Sequence, residues 1–115
     1  MRTPRLLPLL LIAGCSSTYG PISAPPTPAS RNPVNVTLHR VESIEGAVVP
    51  LVFTIDGTEI YGLRNGETYR LKLDPGQYVF GSRFGLNTCN QVVWLRPGRD
   101  IRLDLSADCN IPPEP

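Results

Sequence analysis

Between Val34 and Ile111 the chain breaks into short β-rich runs, none long enough for an amphipathic helix: "VNVTLHRV", "VVPLVFTI", "EIYGL", "TYRLKL", "QYVFGSRF", "NQVVWL" and "DIRLDL". Turn dipeptides punctuate them at Asp56-Gly57, Asn65-Gly66, Pro75-Gly76 and Pro97-Gly98. β-branched and aromatic residues bounded by such turns predict strands, and several short strands in one small domain predict an all-β fold. The expected architecture is a small antiparallel β-sandwich of about seven strands, or a small barrel.

Alternation predicts which side chains face inward. Leu51, Phe53 and Ile55 share one face of their strand, Tyr69, Leu71 and Leu73 one face of another, and Ile101, Leu103 and Leu105 one face of the last. Arg70, Lys72, Asp100, Arg102 and Asp104 fall between them, as an antiparallel sheet with one wet face requires. Two turns invite hairpins. Around Pro75-Gly76, Leu73 would lie opposite Tyr78 and Leu71 opposite Phe80. Around Pro97-Gly98, apolar matching favours Leu95 opposite Ile101 and Val93 opposite Leu103, which sets Val92 and Trp94 on the other face. Those two are then either core under a second sheet or an interaction surface, and a run apolar on both faces favours core.

Outside this region the texture changes. Arg2 and Arg5 supply a cationic start, Leu6 to Ala13 an apolar stretch interrupted by Pro8, and Ala13-Gly14-Cys15 a small-residue end, the pattern of a secretory signal. The apolar stretch is too short to span a bilayer, which takes ~20 residues. The segment "LIAGC" resembles the lipobox of bacterial lipoproteins. That resemblance implies cleavage after Gly14 and a diacylglyceryl thioether on Cys15, palmitate among the acyl chains. Two or three chains, each buried methylene contributing ~0.8 kcal/mol, anchor stably where one does not. Ser16 after the cysteine, where aspartate would retain a chain at the inner membrane, resembles lipoproteins passed to the outer membrane.

The expected organisation is therefore a signal peptide over 1–14, a lipidated Cys15 opening a Pro/Ser-rich tether over 15–33, a β-sandwich over 34–111 and a flexible tail over 112–115. Pro21, Pro25, Pro26, Pro28 and Pro33 make the tether extended and semi-stiff, able to hold the domain some tens of ångströms from the lipid at ~3 Å per residue. Of three cysteines, lipidation accounts for Cys15 and leaves Cys89 and Cys109 as a pair in an oxidising compartment. In the hairpin register Cys89 falls opposite Ala107, so a bulge or bend would bring the two within the ~4.4 to 6.8 Å Cα separation a disulfide needs. Losing Arg2 and Arg5 from eleven basic side chains leaves nine against ten acidic ones, which points to no nucleic-acid partner.

The run "IDGTEIYGLRNGETYRLKLDPGQYVF" resembles the core of PEGA-type and transthyretin-like envelope modules of bacterial lipoproteins. The likeness lies in Ile55-Asp56-Gly57, Gly62, the Asn65-Gly66 turn, Leu73, Pro75-Gly76 and Tyr78, with "VVWLRPGRDIRLDL" as the closing hairpin. It implies a non-catalytic adhesion or assembly module.

Candidate chemistry is sparse. His39 is the single histidine, expected at an exposed strand position, and one histidine with two oxidised cysteines falls short of a zinc site. Ser43, Ser82 and Ser106 lie in no nucleophile-elbow context, Glu42 and Glu45 merely flank a turn, and no glycine-rich phosphate loop is present. The expectation is no enzyme, no cofactor and no metal. The function expected is a lipid-anchored module of the cell envelope, on the outer membrane facing the periplasm, that binds or scaffolds an envelope protein or polymer through Trp94 and Val92. The alternative is a periplasmic small-ligand or inhibitor domain, with a pocket lined by Tyr61, Tyr69 and Tyr78 or recognition carried by a Gly85–Asn90 loop.

Overall fold

A computed structural model describes residues 18–43 and 49–106. The fold is all-β and two-layered, a small β-sandwich of eight strands: β1 (Gly20–Pro21), β2 (Val34–Arg40), β3 (Leu51–Ile55), β4 (Thr58–Leu63), β5 (Thr68–Leu73), β6 (Gly76–Phe84), β7 (Asn87–Leu95) and β8 (Ile101–Leu105). One sheet has five strands in the order β1-β4-β3-β6-β7, and the other has three in the order β5-β2-β8. The predicted inward faces form the core. Val34, Val36 and Leu38 of β2, Leu51, Phe53 and Ile55 of β3, Leu71 and Leu73 of β5 and Ile101, Leu103 and Leu105 of β8 are all buried. Phe53 and Phe80 meet edge to face at 5.2 Å between centroids, in the arrangement favoured by the ring quadrupoles.

Two hairpins are local. Asp56 and Gly57 both have positive φ, 50° and 87°, the type I′ turn whose twist suits β3 and β4. Gly85, at φ 62°, opens the two-residue turn that joins β6 and β7 and leaves Leu86 at its tip. A bulge between Phe53 and Thr54 shifts the β3–β4 register, so that Ile60 as well as Tyr61 turns toward the core.

The Pro75-Gly76 and Pro97-Gly98 turns do not make hairpins. β5 pairs with β2, setting Leu73 beside Val34 and Leu71 beside Val36, while β6 belongs to the other sheet. Likewise β7 pairs with β6, placing Val93 beside Tyr78, and β8 runs parallel to β2, placing Leu103 beside Leu38. Both turns are arches between sheets. An arch satisfies the same apolar matching as a hairpin, because facing strands bury the same alternate residues that neighbouring strands would. The hairpin register that set Cys89 opposite Ala107 is therefore not the one adopted, and Ala107 and Cys109 lie outside the described residues.

The eighth strand comes from the segment read as a free tether. From Thr18 onward that segment is laid against the sandwich. Gly20 pairs with Gly62 and Pro21 with Tyr61, and the Ile22 and Ser23 amides both donate to the Ile60 carbonyl. Farther along, the Ala29 and Ser30 amides donate to the Asp74 carboxylate, at 3.1 and 2.8 Å. A proline-rich chain is already extended and loses little entropy on docking, and proline is tolerated on an edge strand. Gly62 makes the approach possible, since a Cβ there would overlap the Thr18 carbonyl oxygen.

Candidate functional site

The outer face of β6 and β7 carries the apolar surface. Val79 sits directly opposite Val92, and Gln77 opposite Trp94, so these side chains form one cross-strand block. Val93 and Leu95 turn into the core, while Val92 is 53% and Trp94 59% exposed, with Val79 at 36%. The expectation that Val92 and Trp94 are core is overturned, because no second layer covers this face of the five-stranded sheet at β6–β7 among the described residues. Beside the block, Gly81 lies between Thr54 and Asn90, where a Cβ would strike the Asn90 Oδ1 at 2.6 Å. Arg83 and Glu59 close the far side with an ion pair.

β7 is also the free edge of its sheet. It takes no second strand partner among the described residues, and none of its residues, from Asn87 to Leu95, is charged or a proline. Natural edge strands are usually blunted by lysine, proline or bulges, and a long uncharged edge lacks those defences. Cys89, buried on this strand, is disulfide-bonded. Its expected partner Cys109 and the expected lipid site Cys15 both lie outside the described residues.

The remaining candidates divide cleanly. The Gly85–Asn90 recognition loop does not exist as a loop, since β7 begins at Asn87. Among the described residues the three tyrosines do not line a pocket together: Tyr61 and Tyr69 stack on each other at 4.1 Å, Tyr78 donates its hydroxyl to the Asp74 carbonyl, and all three pack against the core. Tyr61 donates to Glu67 at 2.6 Å, and that bond, then burial, holds its phenol above the ordinary value; burial does the same at Tyr69 and Tyr78. His39 is half-buried rather than exposed, in register with Asp104 on the outer face of the small sheet. Glu42 and Arg102 help line the shallow depression there. No group of three or more metal-ligating side chains occurs among the described residues, and Glu45 lies outside them. On the same face, Asn35 bonds Asp100 through its amide and its side chain, which holds that carboxylate below its ordinary value.

Arg40 is the polar residue that alternation conceals. It occupies an inward position of β2 and is 1% exposed. Its guanidinium donates to the carbonyls of Val49 and Leu63 at 2.9 and 2.7 Å and lies over the Phe84 ring, binding both sheets together at one end. Burial lowers its pKa from the ordinary value.

No family model matches the chain, and no curated protein matches it.

Proposed function

We propose that the protein is a lipid-anchored lipoprotein of the cell envelope, on the outer membrane facing the periplasm, acting as a non-catalytic module that docks a partner protein or envelope polymer on β6–β7. One observation carries the docking part: Val79, Val92 and Trp94 form an exposed apolar block beside an uncharged free edge. A large aromatic within such a block is the usual anchor of an interface, and a bare edge adds main-chain hydrogen bonds. The anchor part rests on the basic start, the short apolar run and the LIAGC sequence ending at Cys15. The resemblance to PEGA-type and transthyretin-like envelope modules points the same way.

The test is crosslinking with affinity capture from intact cells, comparing the parent chain with Trp94→Ala and Cys15→Ser. Trp94→Ala should remove specific partners while leaving fractionation with membranes unchanged. Cys15→Ser should abolish palmitate incorporation and release the chain from the membrane. An unchanged set of captured partners for both variants refutes the reading.

A further inference from the structure

Six large apolar side chains are exposed among the described residues, and they fall into two groups. Val79, Val92 and Trp94 belong to the block already described. Tyr19, Val41 and Leu86, exposed by 37%, 44% and 101%, all lie at one end of the sandwich. The registers place them there. Gly20 pairs with Gly62, so Tyr19 reaches the end of β4, where Leu63 lies beside Leu51. Val52 lies beside Arg83, so the β6–β7 turn bearing Leu86 projects from the same end. Val41 follows Arg40, which grips Leu63 and Val49, and its amide bonds the Leu105 carbonyl where β8 finishes. Arg64 completes the end, its guanidinium 4.9 Å from the Tyr19 ring centroid.

This end is also where the chain arrives from Cys15. Only three residue steps separate Cys15 from Thr18, whose carbonyl is already pressed against Gly62. Three extended residues reach about 10 Å. An anchored domain so tied cannot stand off from the bilayer, whatever the proline content of the segment that follows.

We propose that this end of the sandwich rests on the phospholipid surface, with Leu86 inserted below the headgroups and Tyr19 and Arg64 at headgroup level, an inference that rests on lipid attachment at Cys15. Leu86 is suited to insertion because it stands alone at a tight turn and has no contact to give up. Tyrosine with a neighbouring arginine has the amphipathic character of side chains at a membrane interface. Glu42, exposed at the same end, leaves it without strong cationic character, so apolar insertion rather than attraction to anionic lipid provides the contact. The seat orients the molecule. Trp94, seven residues along β7 from Asn87, is held about 23 Å from the turn and away from the bilayer.

The test uses the full chain, acylated at Cys15 and reconstituted in phosphatidylcholine vesicles whose acyl chains are brominated near the headgroup. Two proteins are compared by tryptophan fluorescence: the parent, reporting from Trp94, and Leu86→Trp combined with Trp94→Phe, both changes at exposed positions that leave folding intact. The double variant should emit to the blue of the parent in either kind of vesicle and lose most of its emission in the brominated ones, while the parent emits unchanged. If the acylated double variant stays as bright as in unbrominated vesicles, or if Trp94 is quenched equally, the seat is wrong and the anchor stands. If mass spectrometry finds no acyl group on Cys15, anchor and seat fall together.

Discussion

The five-stranded sheet finishes differently at its two sides. At β4 the chain covers its own edge: β1 pairs along it, Ile22 and Ser23 bond Ile60, and the stacked Tyr61 and Tyr69 close the gap to the smaller sheet. At β7 the edge is long, uncharged and unpaired among the described residues, with Val92 and Trp94 facing solvent beside it. An edge covered intramolecularly contributes to stability, and an edge left open is available for recognition. The difference teaches that side chains at β4 should matter to folding and those on the outer face of β7 to binding.

The largest effect expected is one that qualifies this division. Cys89 points inward from β7 and is disulfide-bonded, so Cys89→Ser should lower unfolding free energy by roughly 3 kcal/mol in an oxidised sample, as opening the loop of about 20 residues expected for a bridge to Cys109 predicts. Denaturant titration with and without reductant checks it, and parent and variant should coincide once reduced. Next comes Gly62→Ala, whose Cβ must push Thr18 away. Overpacking of this kind costs about 1 to 3 kcal/mol. Hydrogen exchange should show the Ile22 and Ser23 amides losing protection, whereas an unchanged pattern would mean that β1 contributes nothing to closing that edge.

Tyr61→Phe should cost less, about 1 kcal/mol, by removing the hydroxyl bond to Glu67. It also has a pH signature. The phenols of Tyr61, Tyr69 and Tyr78 are raised in the folded state, so the unfolded chain releases these protons first. Their stabilisation is complete below about pH 10 and is lost as pH rises through the raised values. Thermal melts in that range should show a shallower alkaline decline for the variant than for the parent. The smallest effect on stability belongs to Trp94→Ala, expected within about 0.5 kcal/mol of the parent because the ring is mostly in water. A drop of 2 kcal/mol or more would place the ring in a structural role and break the comparison.

Face assignment was readable from the sequence where burial alternates, as along β2, β5, β7 and β8, and Leu51, Phe53, Ile55 and Leu73 sit where alternation puts them even though Val52 between the first two is buried as well. Strand neighbours were not readable. The pairs Leu73 with Tyr78 and Leu95 with Ile101 satisfy a hairpin and an arch equally, and only the packing of the whole sandwich chooses. Val92 and Trp94 look like core for a related reason: hydrophobicity records affinity for a dry surface without saying whose surface it is. The docking of residues 18–30 was hidden by composition, since the bonds that hold it are made by backbone amides to Ile60 and Asp74. Arg40 was hidden by charge, its partners being carbonyls that leave no trace in side-chain identity.

The parallel pairing of β2 with β8 sets a schedule for the molecule. Val36 lies beside Leu71 on one side and gains its other neighbour only when Ile101 has been delivered, so the central strand of the small sheet stays half-paired until β8 emerges. Such distant contacts slow folding and defer the cooperative step until β8 is available. Under the export proposed above, this lateness keeps the polypeptide slack enough to pass a translocation pore and lets it lock only on the far side.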